Sequence, residues 1–456
     1  MTPIHVPVLP DPEEQVRPTS AESEAPVAAR HPIIYNLFPT LAGQAPRWVE
    51  HAERARRMGF GWIYLNSVLY PGFSGSLYAI KHYDRLHPLL APDETLSGLD
   101  ALAPTIRSIR DLGLSVMVDL VINHTAKDNP LVASRPGWYR WDAQGELVSP
   151  SAIDPANADN VTVWGDLAEI DNNGAADRDE LWTFWERLLF QLMDVGFTGF
   201  RCDAAYKVPA ALWERLITRA KAREPATLFV AETLGARLEE IDALGSVGFD
   251  YFYNSSKWWD FSQPWCLEQH ERLRDVVPSI SFPESHDTPR LAAETSAHEL
   301  VQRQRYAFAA VFSEGVQLTI GYEFGFRRPL DVVTTRPSDW EDGAFDLVRF
   351  IGHVNALKRR HPLLRTEGVL SSIATSSNDV VVIRRWSDRT GTTTGASSRS
   401  IATPPSRERS CCRGGIYPRI PASIGCVGRT RRSGRSPPAR SSCWPRRRSS
   451  WIGEAL

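Results

Sequence analysis

Two hydrophobic rhythms alternate along the chain. Short apolar runs rich in β-branched and aromatic residues recur, and stretches with apolar positions every three to four residues lie between most of them. The runs predict strands at Ile33–Pro39, Trp62–Ser67, Ser115–Ile122, Gly199–Asp203, Leu228–Glu232, Asp250–Asn254, Ile280–Pro283 and Val316–Ile320. The stretches predict helices at Trp48–Arg57, Leu99–Leu112, Glu180–Val195 and Ala210–Lys221. Eight strands separated by helices over about 330 residues fit an α/β fold of the (β/α)8 TIM-barrel type. A doubly wound sheet is the alternative, but no Gly-rich phosphate loop follows the first strand. The longest insertion follows the third strand, from about 125 to 173; rich in Pro, Gly, Asn and Trp, it reads as a small subdomain at the barrel mouth.

The ends of the chain differ from this body. Residues 1–30 are dominated by Pro, Glu, Ser and Ala and read as a disordered leader. They hold no apolar signal segment, and no run approaches 18 apolar residues, so a cytoplasmic chain with no membrane partner is expected. The barrel is expected over 31–365, followed by the start of a C-terminal β domain at 366–388, with a strand at Asp379–Trp386. That domain reads as incomplete, because residues 389–456 show neither strand alternation nor helical periodicity. Hydrophobic residues at 42% and charged residues at 23% are ordinary for a globular chain. The net charge of −2, however, sums two unlike parts: the tail holds 14 Arg, no Lys and 2 Glu, a local +12 that leaves −14 on the other 388 residues. Three readings of the tail compete. An Arg-rich segment can bind nucleic acid, and four cysteines can bind metal. Cys411 and Cys412 are adjacent, though, and Cys426 and Cys443 isolated, unlike paired ligands at short repeated spacings. The favoured reading is a reading frame lost near Thr390, so no nucleic-acid partner is expected. Translating the next frame of the gene should then restore alternating apolar residues.

In such barrels the reacting groups sit at the C-terminal ends of strands. Four ends carry ionisable residues: Val118-Asp119-Leu120-Val121-Ile122-Asn123-His124, Gly199-Phe200-Arg201-Cys202-Asp203, Phe229-Val230-Ala231-Glu232 and Phe282-Pro283-Glu284-Ser285-His286-Asp287. A single carboxylate there can simply cap the next helix. Four in this order are hard to obtain by capping. Asp203 and Glu232 end consecutive strands, which suits a pair of carboxyl groups held ~5–5.5 Å apart for retaining glycoside chemistry. Arg201, two residues before Asp203, points to the same side of its strand and would keep Asp203 ionised. Glu232 follows an apolar run near two other carboxylates, which should raise its pKa. Cys202 faces the other way and reads as core.

The four blocks, in this order, resemble the α-amylase superfamily, glycoside hydrolase family 13, over roughly residues 31–365. The resemblance implies Asp203 as nucleophile, Glu232 as general acid/base and Asp287 as the carboxylate that holds sugar hydroxyls and stabilises the transition state. It implies His124 and His286 as sugar-binding histidines, Arg201 as the arginine orienting the nucleophile, and Asp119 and Asn123 as a structural pair. Tyr78, in Gly75-Ser76-Leu77-Tyr78, resembles the aromatic that stacks on the sugar, and Asp166 the Asp of an Asp-Leu pair late in the insertion. Departures bear on substrate. Ala204-Ala205-Tyr206-Lys207 places its Lys one position late with no His after it, and Leu77-Tyr78-Ala79 lacks an Asp. His82-Tyr83-Asp84-Arg85-Leu86-His87-Pro88 and Gly321-Tyr322-Glu323-Phe324-Gly325 look like the maltosyltransferases that use maltose 1-phosphate. The implied reaction is retaining cleavage of α-1,4-glucosidic bonds in an α-glucan or maltooligosaccharide. Transglycosylation, or an inactive glucan-binding or damaged product, is the alternative. Some members bind calcium through the equivalent of Asn123; with a short insertion and no further oxygen cluster, neither metal nor cofactor is expected. Trp138, Trp141, Trp164, Trp258 and Trp259 read equally as sugar platforms or core.

Overall fold

A computed structural model describes residues 31–91, 93, 97–154, 157–259, 263–374, 380–386 and 426–429. The expected leader, and the tail apart from 426–429, lie outside the described residues. All eight expected barrel strands are present: β1 (Ile33–Leu37), β2 (Trp62–Leu65), β3 (Ser115–Leu120), β4 (Gly199–Cys202), β5 (Leu228–Ala231), β6 (Tyr251–Tyr253), β7 (Ser279–Ser281) and β8 (Gly315–Thr319). They close into a parallel barrel in the order β1-β8-β7-β6-β5-β4-β3-β2. Each strand ends one or two residues earlier than its apolar run, because the last residues leave the ladder and turn into the mouth.

Strand alternation sorts the side chains. Val116, Val118, Leu120, Phe200 and Cys202 face outward into the core beneath the helices. Ile34, Trp62, Tyr64, Met117, Val230 and Tyr253 fill the barrel interior. Gly199 is required there: a Cβ on it would lie 2.6 Å from the Trp62 ring. The helix expected at Trp48–Arg57 has those bounds, and that at Ala210–Lys221 runs to Arg223. The stretch Leu99–Leu112 divides into a 3-10 turn, Leu99–Leu102, and a helix, Ala103–Asp111, with Pro104 in its first turn, where a missing N–H is harmless. Within the insertion, His124–Ala126 pairs antiparallel with Leu167–Glu169, and Ser151–Asp154 with Asn157–Val163.

Past the barrel, Val369–Ile373 and Val380–Trp386 pair antiparallel, so the strand expected at Asp379–Trp386 is present. Cys426–Arg429 pairs antiparallel with Val380–Ile383. An edge strand offers open N–H and C=O groups to any extended segment, so backbone pairing needs no side-chain pattern.

Beneath the barrel, two buried cations bind the end of helix Glu299–Phe312, and one of them, Arg385, ties this sheet to it. Lys358 Nζ donates to the carbonyls of Ala310 (2.9 Å), Ser313 (2.7 Å) and Leu364 (2.7 Å). Arg385 donates to Leu363 (2.8 Å), Val311 (3.2 Å), Phe312 and Thr366. Four of these acceptors lie at the C-terminal end of helix Glu299–Phe312, where carbonyls have no helical partner and the dipole is negative. Glu367 Oε1 accepts the N–H of Ser279 (2.6 Å), at the start of β7, and that of Glu314 (3.1 Å), just before β8.

Candidate active site

Parallel register positions the reactive groups. Arg201 on β4 lies opposite Asp119 on β3, and Cys202 opposite Ala231 on β5. One residue further, Asp203 and Glu232 leave adjacent strands. Arg201 is buried, 4% exposed, and its Nη1 donates to Asp203 Oδ1 (2.6 Å) and Asp119 Oδ1 (2.9 Å). Its Nη2 lies 2.8 Å from Glu232 Oε1. One guanidinium thus holds three carboxylates. The contact with Asp203 follows from strand alternation, whereas that with Glu232 crosses strands and had no signal in the sequence.

Glu232 Oε2 accepts the backbone N–H of Ala204 at 2.8 Å. Burial pushes the Glu232 carboxyl up, Arg201 and the Ala204 N–H pull it back, and Asp203 and Asp287 add to the rise, leaving its pKa at about 7. Burial also raises Asp119 despite Arg201. Asp119 Oδ2 takes the hydroxyl protons of Tyr78 (2.7 Å) and Tyr64 (2.9 Å).

Tyr78 stacks on His286, with ring centroids 5.7 Å apart and planes within 9°. Its proton goes to Asp119, so at 2.8 Å it is His286 Nε2 that donates to the Tyr78 oxygen. The same Nε2 is 3.0 Å from Asp287 Oδ2. Burial lowers the His286 pKa, but Asp287 outweighs it and the net shift is upward; Asp287, half-exposed at the mouth, moves down in return, against the desolvation by the protein around it. Asn66 Nδ2 donates to the Tyr78 oxygen at 2.8 Å and itself binds Asn36, which donates to Asn66 Oδ1 at 2.9 Å. Tyr64 and Asn66 were not singled out in the sequence. Their signal is alternation: positions 62, 64 and 66 face inward at the end of β2, as 201 and 203 do on β4.

His124 is buried, and both its ring nitrogens are shut off from solvent. Burial lowers its pKa; the Asp203 and Asp166 charges act in the other direction. Asp166 contributes its backbone carbonyl to Lys127 and stays at the periphery, without a side-chain bond to the carboxylate cluster. Asn123 is also buried outside that cluster; its carbonyl accepts from Ile170, anchoring the insertion, and its Oδ1 has no partner. No group of three or more His, Cys, Asp or Glu suited to a metal surrounds it among the described residues, so the side-chain donors do not make a calcium cage. Trp138 and Trp259 are core, whereas Trp141 and Trp164 on the insertion are exposed. A cavity of 470 Å³ opens between Arg140, Glu169, Asp171, Lys207, Glu239 and Glu240, and Tyr206 reaches from it to the charges of Glu232 and Asp203.

Several known proteins are similar to this chain. A family profile described as "Glycogen debranching enzyme, glucanotransferase domain" matches residues 29–141. Among sequence relatives, an alpha-1,4-glucan:maltose-1-phosphate maltosyltransferase of Burkholderia pseudomallei is 29% identical over 363 residues, 78% of this chain and 31% of that protein. Its namesake in Myxococcus xanthus is 27% identical over 398 residues, 78% of this chain and 56% of that protein. The chain therefore spans only part of these relatives. Among solved structures, an alpha-amylase from Lactobacillus plantarum superposes with a TM-score of 0.64 at 22% identity, over 79% of this chain and 86% of that one. An alpha-amylase from H. orenii gives 0.63 at 15% identity, over 88% and 98%. Likeness at these identities shows the closed (β/α)8 barrel fold. No described helix is long and apolar enough to cross a membrane.

Proposed function

We propose that this chain is a retaining enzyme acting on α-glucans, breaking α-1,4-glucosidic bonds through a covalent glycosyl intermediate on Asp203. The observation that carries this reading is the shared guanidinium, which holds Asp203 and Glu232 on its two terminal nitrogens while Glu232 is lifted to about 7. Arg201 occupies Asp203 Oδ1, which leaves Oδ2 to attack the anomeric carbon. Protonated Glu232 gives its proton to the departing glycosidic oxygen, then takes one from the acceptor that displaces Asp203. The stacked Tyr78 and His286 and the half-exposed Asp287 suit the face and hydroxyls of a sugar ring. The cavity beyond Tyr206 carries four carboxylates against two cations, which favours a neutral sugar there over an anion.

Water as acceptor makes the enzyme a hydrolase. A sugar acceptor makes it a transferase, and the names of the two maltosyltransferase relatives favour that second reading. Product analysis with maltoheptaose, with and without inorganic phosphate, tests both. Shorter chains alone mean hydrolysis; longer chains, or maltose 1-phosphate formed only with phosphate, mean transfer. A folded wild type giving no product that Asp203→Ala lacks would sink the enzyme reading.

A further inference from the structure

Among the described residues, only three other than glycine have positive φ, and one of them directly follows Asp203. Ala204 sits at φ 40° and ψ 50°, in the left-handed region that a Cβ disfavours. Such an outlier persists only where its surroundings impose it. The turn after it accounts for part: Ala204 starts the 3-10 turn Ala205–Lys207, accepts the Lys207 N–H at 2.8 Å, and is followed by Ala205, whose carbonyl is held by the Trp213 indole at 2.9 Å. The turn does not account for where the Ala204 N–H goes. It points away from the turn, across to the neighbouring strand end, and meets Glu232 Oε2 at 2.8 Å. The other oxygen of Glu232 is held by Arg201, and the Glu232 N–H by the Cys202 carbonyl at 3.1 Å. Both carboxylate oxygens are therefore fixed from β4, by groups on either side of Asp203.

We infer that the backbone N–H of Ala204 is a positioning group for Glu232, aimed by the left-handed turn that follows Asp203. The inference rests on reading Glu232 as the proton donor to the leaving group. It makes tolerance of the left-handed conformation, and not side-chain bulk, the requirement at position 204. Gly and Asn tolerate that region and Val does not, although Asn is no smaller than Val.

The test compares Ala204→Gly, Ala204→Asn and Ala204→Val on maltoheptaose and on α-maltosyl fluoride, whose leaving group departs as fluoride and needs no proton. Gly and Asn should stay within about threefold of wild type on both, while Val loses about 30-fold in kcat/KM on maltoheptaose and little on the fluoride, because kcat/KM reports the step that forms the glycosyl intermediate and not the later one in which Glu232 takes a proton. Equal losses of Val on both substrates, or Asn as damaged as Val, overturn the inference. If Val does not fold, Ala204→Ser, small but less tolerant of positive φ than Asn, takes its place with the same ordering. If wild type cleaves neither substrate, the reading of Glu232 as proton donor fails by itself. The clamp is then decided by a 13C-carboxylate titration, with Glu232→Gln assigning the signal. An upward move of the Glu232 midpoint in the Val or Ser variant but not in Asn upholds it, and an unmoved midpoint overturns it.

Discussion

The two ends of the barrel each bury cations, and they satisfy them in opposite ways. At the mouth, Arg201 is surrounded by the carboxylates of Asp119, Asp203 and Glu232. Beneath the barrel, Lys358 and Arg385 are surrounded by backbone carbonyls. Carbonyl dipoles cannot take up a proton, so what titrates at the lower end is the donor itself, burial pulling Lys358 down to about 7. Three carboxylates on one cation carry an excess of negative charge, and Glu232 and Asp119, both raised by burial, can relieve it by protonation. Burial of charge at the mouth thus yields adjustable acidity, and at the base it yields attachment.

The largest effect should come from Asp203→Ala, which removes the attacking oxygen and should lower kcat/KM on maltoheptaose by about 10^4-fold or more while the chain stays folded. Arg201→Met strands three carboxylates. It should cost about 3–5 kcal/mol of stability at pH 7, and less at pH 5 where the carboxylates can protonate; denaturant melts at the two pH values check this, and equal losses would erase the contrast drawn between the two ends. Lys358→Met leaves three buried carbonyls without a donor and should cost about 3 kcal/mol, with kcat at low temperature unchanged. A fall in kcat for the folded variant would mean that the base also tunes the mouth.

The smallest effect concerns pH. If Glu232 must be protonated, activity should fall about tenfold per unit above its pKa of about 7, as the pH profile of kcat would show. The same group affects stability with a definite sign. Its folded pKa is raised, so its stabilising contribution is present at low pH and is lost as pH climbs from the ordinary glutamate value toward 7. Wild type should lose about 2 kcal/mol across that window relative to Glu232→Gln, and parallel melting curves at pH 4.5 and 7.5 would contradict this.

Much of the mouth was legible in the sequence because it is written in strand alternation. Arg201 and Asp203 differ by two positions, and Cys202 between them faces the outer core. The base was not legible, because Lys358 and Arg385 bind main-chain oxygens, which leave no trace in residue identity. Neither was the bond from Ala204 to Glu232, for the same reason. Asn66 lies within reach of the pattern but gives no signal of its own, as it carries no charge and touches the carboxylates only through Tyr78 and Tyr64. The strand at Cys426–Arg429 marks the opposite limit, where pairing arises without a side-chain rhythm to announce it.

Because Arg201 is common property of three acids, replacing one of them changes the field felt by the other two. Asp203→Asn frees guanidinium capacity for Glu232 and so weakens its acidity threshold, while Glu232→Gln alters how firmly Asp203 is gripped. Single replacements will therefore each look more damaging than their own chemistry warrants, and the double replacement should lose less than the product of the two. Assigning a role to any one of these acids takes the full thermodynamic square, with both single variants and the pair measured at the same pH.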